Sequence, residues 1–300
     1  MKPQRIAAID IGSNSIKLAV AEASGERLNV ILQQRERVRL GETLREKFLS
    51  PEAVEKSAVV VGRFRAIAES FSAETIIAVA TASAREAINS GDFVAEIERR
   101  TGVRVKVLAA IEEARLIGIA ARHYFGSAQG ALLNIDIGGG STELSLMKTG
   151  AESKLFSVPL GAVGLTEKFL STNPPTAGEI ESARREICLN LEKPSEELRR
   201  ENWLATSGTS GTILKFGGLL NAGKGEIYFP QLVELNRELA KMTARERAAL
   251  PNISEKRAEL LVAGGLVLEG AMRALKIEKL QPCQYALREG VIIDFLEGDL

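Results

Sequence analysis

Two stretches place an aspartate at the end of an apolar run and follow it at once with small residues. They are Ile9-Asp10-Ile11-Gly12-Ser13-Asn14-Ser15 and Asp136-Ile137-Gly138-Gly139-Gly140-Ser141-Thr142-Glu143. A chain that reverses through glycines and hydroxyl residues exposes backbone N–H groups and hydroxyls on the turn, and such a turn can cradle phosphate. An aspartate beside it can hold a cation that bridges phosphate oxygens, directly or through water. Positioning and charge neutralisation are what phosphoryl transfer asks of a protein. Either stretch alone fits equally well a tight hairpin whose aspartate only bonds its own turn. Their recurrence at corresponding places favours the phosphate reading and points to duplication of one fold.

The rest of the chain narrows the chemistry. There is one histidine, His123, in a helical stretch with no second histidine at ligand spacing, so a structural role is expected. The two cysteines, Cys188 and Cys283, are far apart and form no Cys-x-x-Cys pair, so neither a disulfide framework nor a thiolate zinc site is suggested and free thiols are expected. Carboxylates are left as candidate bases, and hard, oxygen-binding cations such as magnesium as candidate metals. Lys plus Arg equals Asp plus Glu at 39 each, so no global field recommends nucleic acid or an anionic membrane. Any anion site must be local.

The elements that would position these residues can be read from periodicity and punctuation. Strands are expected at Arg5–Asp10, Ser15–Glu22 and Leu28–Leu40, forming an antiparallel meander. Ser50 caps a helix that starts at Pro51 and runs to about Phe71. A buried strand, Thr75–Ala80, short helices near Ala84–Ile88 and Asp92–Arg100, a strand at Val103–Leu108 and a helix at Ile111–Tyr124 complete the first half. The second half restates the opening: a strand ending at Asp136, a glycine turn, then strands from Glu143 to Met147 and from Glu152 to Pro159. Helices follow at Ala162–Leu170 and Thr176–Glu192, then a strand at Trp203–Thr206, the turn 207–212 and a largely helical remainder. Residues 217–225 read as loop. The 300 residues, 45% hydrophobic, suit two domains, expected at 1–125 and 126–300, with the last helix free to return to the first. The N-terminus lacks a signal-peptide pattern and no apolar stretch reaches bilayer length, so a cytoplasmic protein is expected.

Other motifs fail on inspection. Gly218, Gly223 and Lys224 have P-loop spacing, but Gly225 stands where Ser or Thr is needed. Residues 138–143 lack the last glycine of a dinucleotide fingerprint, and residues 208–212 the last glycine of a nucleophile elbow. Arg35, Arg37 and Arg39 alternate on an expected strand and share one side of it. A polyanion track is conceivable there, but a solvated edge strand protected by charge is favoured.

In order, these blocks resemble the exopolyphosphatase and guanosine pentaphosphate phosphohydrolase family, within the sugar kinase, heat-shock ATPase and actin superfamily. Beside the two loops, Gly208-Thr209-Ser210-Gly211-Thr212-Ile213 is similar to a third family turn. Residues 81–89 are similar to a phosphate-binding arginine segment, Glu112-Glu113-Ala114-Arg115 to a catalytic-glutamate helix, and Leu287-Arg288-Glu289-Gly290 to a C-terminal block. Lys17 stands where the family commonly has arginine, and Gln284 where an acidic residue is expected. The resemblance implies an α/β protein with two ribonuclease H-like (actin-like ATPase) domains and an active-site cleft between them. It makes Glu113 the general base and Arg85 the residue that binds and stabilises the transferred phosphate. Glu112 and Glu113 point about 100° apart at about 3.6 residues per turn, so only one faces inward; Glu113 shares its face with Ile117 and Ala120. Phosphate binding falls to Asp10, Gly12, Ser13, Asn14, Ser15 and Lys17, to Gly138, Gly139, Gly140, Ser141 and Thr142, and to Gly208, Thr209 and Ser210. Mg²⁺ is expected at Asp136 and Glu143, with Asp10 a third candidate. The implied substrate is polyphosphate or guanosine pentaphosphate, with no nucleic-acid or membrane partner, and a homodimer is left open. A superfamily kinase or a non-catalytic phosphate sensor is the alternative.

Overall fold

An unbroken buried run over residues 6–11 marks β1 (Gln4–Ile11) as the middle of a sheet, because a strand covered on both faces needs no polar alternation. The computed structural model describes residues 4–25, 27–44, 47–126, 130–209, 211–220 and 225–298. Two compact units emerge, Met1–Ala120 with Leu287–Leu300, and Ala121–Ala286.

In the first unit β1 pairs with antiparallel β2 (Ser15–Ser24), and β2 with antiparallel β3 (Arg27–Arg37). Helix α1 (Pro51–Ser70) leads to β4 (Thr75–Ala80), parallel to β1. Helices α2 (Ala82–Glu86) and α3 (Ser90–Thr101) lead to β5 (Val105–Val107), parallel to β4, and α4 (Ala110–Phe125) follows. The order β3-β2-β1-β4-β5, antiparallel on one side of β1 and parallel on the other, is the ribonuclease H-like arrangement. Ala7, Ile9 and Ile11 of β1 and Ile16, Leu18 and Val20 of β2 pack with Val61 and Phe64 of α1 and with Phe93 and Ile97 of α3. Side chains alternate along a strand, so Asp10, Ser15 and Lys17 lie on the opposite face. The helix start expected at Ser50 is present: its Oγ accepts from the Ala53 N–H at 3.2 Å, and Pro51 occupies the first turn.

The second unit repeats the plan. β6 (Leu132–Ile137) pairs with antiparallel β7 (Thr142–Met147), and β7 with antiparallel β8 (Lys154–Val158). After α5 (Ala162–Phe169) and α6 (Ala177–Arg199), β9 (Ala205–Thr209) joins parallel to β6. Next come α7 (Gly211–Leu220), β10 (Ile227–Tyr228), α8 (Phe229–Lys241), α9 (Ala244–Ala248), α10 (Glu255–Leu275) and β11 (Lys279–Pro282). The order is β10-β11-β9-β6-β7-β8, which is the first sheet's order with one short strand added. The core gathers Leu133, Ile135 and Ile137 of β6 with Leu144 and Leu146 of β7 and the buried flank of α10. Asn134, Asp136, Glu143 and Ser145 therefore face the other side. The last helix, α11 (Leu287–Glu297), belongs to the first unit and packs on β1 and β2.

Several expected boundaries move. β3 ends at Arg37, and Arg39 adopts a left-handed conformation with φ 61°, so the arginine alternation stops after Arg35 and Arg37. β9 runs on through Gly208 and Thr209, which were expected in a turn. α6 continues past Glu192 through Pro194 to Arg199. Residues 217–220 are helical rather than loop, while 221–224, with the P-loop-like Gly223 and Lys224, lie outside the described residues. The expected helical remainder also contains β10 and β11.

Candidate functional site

The two aspartates occupy equivalent places, each one residue from the end of the first strand of its unit. Both turns close with the same bond: the Gly12 N–H donates to the Ser15 carbonyl at 3.2 Å, and the Gly138 N–H to the Ser141 carbonyl at 2.8 Å. Each turn is backed by a glycine that sequence reasoning missed. The Gly41 N–H donates to the Ser13 carbonyl at 2.8 Å. Behind the second turn, a Cβ on Gly161 would sit 2.2 Å from the Gly139 oxygen. The Gly138 and Gly139 carbonyls accept from Ala162 and Val163 at the start of α5, at 3.0 and 2.9 Å. In a trans peptide the C=O and the next N–H point in opposite directions. The amides of Gly139 and Gly140 are thus turned away from α5, the orientation an anion-binding turn requires.

What stands beside each aspartate differs. Across β1 and β2, Asp10 is in register with Lys17, whose Nζ donates to Asp10 Oδ2 at 2.9 Å. Asp10 is only 4% exposed. Across β6 and β7, Asp136 is in register with Glu143, which is 1% exposed. Thr209 on β9 donates to Asp136 Oδ1, and Ser157 on β8 donates to Glu143 Oε1 at 2.8 Å. Like charges directly opposite on a sheet repel, so this carboxylate pair is suited to a shared cation. Its oxygen donors match magnesium, which binds through one or two carboxylates and completes its shell with water and phosphate oxygens. Among the described residues no three His, Cys, Asp or Glu side chains form a metal cluster of their own. Of the three carboxylates expected to hold metal, Asp136 and Glu143 are adjacent in the second unit, and Asp10 bonds Lys17 in the first.

Arg85 and Glu113, drawn from separate blocks, meet in the first unit. Arg85 Nη1 donates to Glu113 Oε2 at 3.1 Å and to the Leu108 carbonyl at 2.9 Å. Glu113 is 9% exposed, whereas Glu112 turns outward to Lys106 at 2.7 Å, as the helical periodicity anticipates. Two residues on, Arg115 makes a bidentate pair with the fully buried Asp294 of α11, at 2.6 and 2.8 Å. Gly290 of α11 lies so close to α4 that a Cβ there would fall 2.0 Å from the Leu116 carbonyl oxygen. The helix carrying Glu113 is therefore clamped by the C-terminal block.

At the third turn, Ser210 lies outside the described residues. The place of a Gly208 Cβ is filled by Ile213 and Leu280 at 2.7 and 2.8 Å, so close packing accounts for that glycine. Arg257 of α10 reaches the start of α7 and donates to Thr212 Oγ1 at 3.2 Å, a residue with no distinctive signal in the sequence. His123 stacks on Tyr285, with ring centroids 6.1 Å apart; Cys188 and Cys283 are free thiols. No helix of the described residues is long and apolar enough to cross a membrane.

Residues 18–298 match the Ppx/GppA phosphatase family. Exopolyphosphatase 1 of Mycobacterium leprae is 34% identical over 306 residues, covering 98% of this chain and 90% of that one. Exopolyphosphatase 1 of Mycobacterium tuberculosis is 32% identical over 306 residues, covering 98% and 89%. Among solved structures, the Aquifex aeolicus Ppx/GppA family member has a TM-score of 0.85 at 26% identity, covering 99% of each chain. An exopolyphosphatase from Cytophaga hutchinsonii has a TM-score of 0.88 at 23% identity, covering 98% of each, and shares the fold.

Proposed function

Because this chain belongs to the Ppx/GppA phosphatase family, a family of exopolyphosphatase-type phosphohydrolases, we propose that it removes the terminal phosphate from inorganic polyphosphate. The observation that carries this reading is the contrast between the duplicated turns. One sets a cation beside its aspartate and the other sets a second carboxylate there. The first is suited to bind phosphate oxygens and the second to bind the metal that accompanies them.

Glu113 takes a proton from water as that water attacks the terminal phosphorus. The phosphoanhydride P–O bond breaks, inorganic phosphate departs, and the chain left behind is one unit shorter. Arg85 orients the Glu113 carboxylate and, with Lys17 and the turn amides, balances the charge that spreads over the phosphoryl oxygens. Asp136 and Glu143 would hold Mg²⁺, which when bound supplies charge neutralisation and orientation of the phosphoryl group. In this assignment Asp10 anchors Lys17. Hydrolysis is favoured over transfer to an acceptor by the buried, arginine-held Glu113, a group suited to activating water.

Phosphate release with Mg²⁺ from long polyphosphate, short polyphosphate, guanosine pentaphosphate and ATP, assayed in parallel, tests the reading. Polyphosphate is expected to be the best substrate. Preference for guanosine pentaphosphate would transfer the proposal to that nucleotide, and silence on all four would leave a phosphate sensor.

A further inference from the structure

The arginines of β3 are tied to the first phosphate turn. In register across three strands lie Asp10, Lys17 and Arg35, and in the neighbouring row Ser15 faces Arg37. Residues directly opposite on adjacent strands share a face, so all five side chains stand on the face of the sheet that carries Asp10. The contacts agree: Arg35 Nε donates to Ser15 Oγ at 3.0 Å, and Arg37 Nε to Asn14 Oδ1 at 3.0 Å. From α11, Arg288 comes to the same side and donates to the Leu18 carbonyl at 2.9 Å, with Glu289 as a loose partner at 3.8 Å.

The charges in this patch do not cancel. Asp10 is committed to Lys17. Among the described residues, neither Arg35 nor Arg37 makes an ion pair with a carboxylate; their Nε groups donate to a hydroxyl and to an amide oxygen. The cost is visible at Arg35, whose pKa is pushed below the ordinary arginine value, first by desolvation and then by the charges of Arg37 and Arg288, with Asp10 opposing. A solvated edge strand would not aim two guanidinium groups at the residues of one turn, and adjacent strands, about 4.8 Å apart, set the cations in a ladder leading away from it.

We propose that Arg35 and Arg37 form a second anion subsite, beside the first phosphate turn, that binds the phosphates following the terminal one in a condensed phosphate chain. The subsite rests on the phosphohydrolase reading for its ligand but is defined by binding. Lys17 and the turn take the end of the chain, and the two guanidinium forks take the next units, for which their planar donors are matched. Long chains gain from both arginines, and inorganic phosphate, which has no following unit, gains from neither.

The experiment is calorimetric titration of the full chain with inorganic phosphate and with long polyphosphate, in EDTA and across a salt series. It compares wild type, Arg35→Gln, Arg37→Gln, the double variant and the charge-preserving lysine variants. Each glutamine change is expected to weaken long-chain binding by roughly tenfold, the low end for a hydrogen bond to a charged group, and inorganic phosphate binding far less. By the counterion-release argument used for nucleic acids, each should also flatten the salt slope by about 0.7, with the lysine variants keeping most of that slope. Wild-type affinity in the double variant overturns the proposal. Equal weakening for both anions with an unchanged slope also overturns it, because the arginines would then only brace the turn. Phosphate release is measured in parallel: a wild type that binds chains through these arginines but releases nothing refutes the hydrolase reading and leaves the subsite standing.

Discussion

Gly161→Ala is a test of how tightly the second turn is held. Gly161 has φ −130° and ψ 163°, which any residue can adopt, so alanine brings no backbone strain. What it brings is a collision, because its Cβ would lie 2.2 Å from the Gly139 oxygen, 2.3 Å from the Gly139 carbon and 2.5 Å from the Gly140 nitrogen. Restoring contact at 3.4 Å requires the turn or the start of α5 to move by about 1.2 Å. All three atoms are backbone, so no side chain can swing aside. Overpacking of this kind costs about 1–3 kcal/mol, or about 2–4 °C in Tm per kcal/mol for a unit of this size. A displacement of about 1 Å at a catalytic turn costs about a hundredfold in rate. The expected phenotype is a folded, slightly destabilised protein with kcat/KM for polyphosphate lowered by about a hundredfold. Gly164→Ala on the same helix meets nothing within 4 Å and should be neutral or slightly stabilising, since alanine is the better helix former. Phosphate release and thermal unfolding of both variants provide the comparison. Full activity in Gly161→Ala would refute the claim that this contact sets the turn.

Glu113→Gln should leave thermal unfolding near wild type and lower phosphate release by about 10²–10⁴-fold, the range for loss of a general base; near-normal release would remove Glu113 from that role. Glu143→Gln should raise the Mg²⁺ concentration needed for half-maximal rate and weaken Mg²⁺ binding in a direct titration, and an unchanged metal requirement would place the ion elsewhere. Arg115→Ala leaves the fully buried Asp294 carboxylate without its bidentate partner, and urea unfolding should show a loss of about 3 kcal/mol. A loss under about 0.5 kcal/mol, the scale of an ordinary surface change, would show that the clamp on α4 is not structural.

Much of this arrangement was legible in the sequence because local and tertiary signals agree there. The apolar strands before Asp10 and Asp136, the small turn residues and the recurrence of the whole phrase are local features, and the structure turns both into matching hairpins. The inward side of α4 followed from periodicity, and Glu113 is buried while Glu112 pairs with Lys106. Where glycine serves packing, the reading failed. Gly208 looked like a turn residue but completes β9, where Ile213 and Leu280 occupy the space of its side chain. Gly217 looked like loop, yet it lies in α7, where a Cβ would meet Pro282 at 2.8 Å, so close packing accounts for the glycine. β10 and β11 are too short to show alternation and acquire their identity by pairing across long sequence separations. The arginines of β3 were visible as a stripe, but their ties to Asn14 and Ser15 depend on a register that the sequence leaves open.

The central claim is that water attacks the terminal phosphorus of a phosphate chain with Glu113 as the base. Hydrolysis of polyphosphate in heavy-oxygen water, with the released phosphate analysed by mass spectrometry, tests it most directly. One heavy oxygen is expected in each inorganic phosphate released by the wild type, and little release of any kind by Glu113→Gln. Unlabelled released phosphate, with the heavy oxygen retained on the shortened chain, would contradict it.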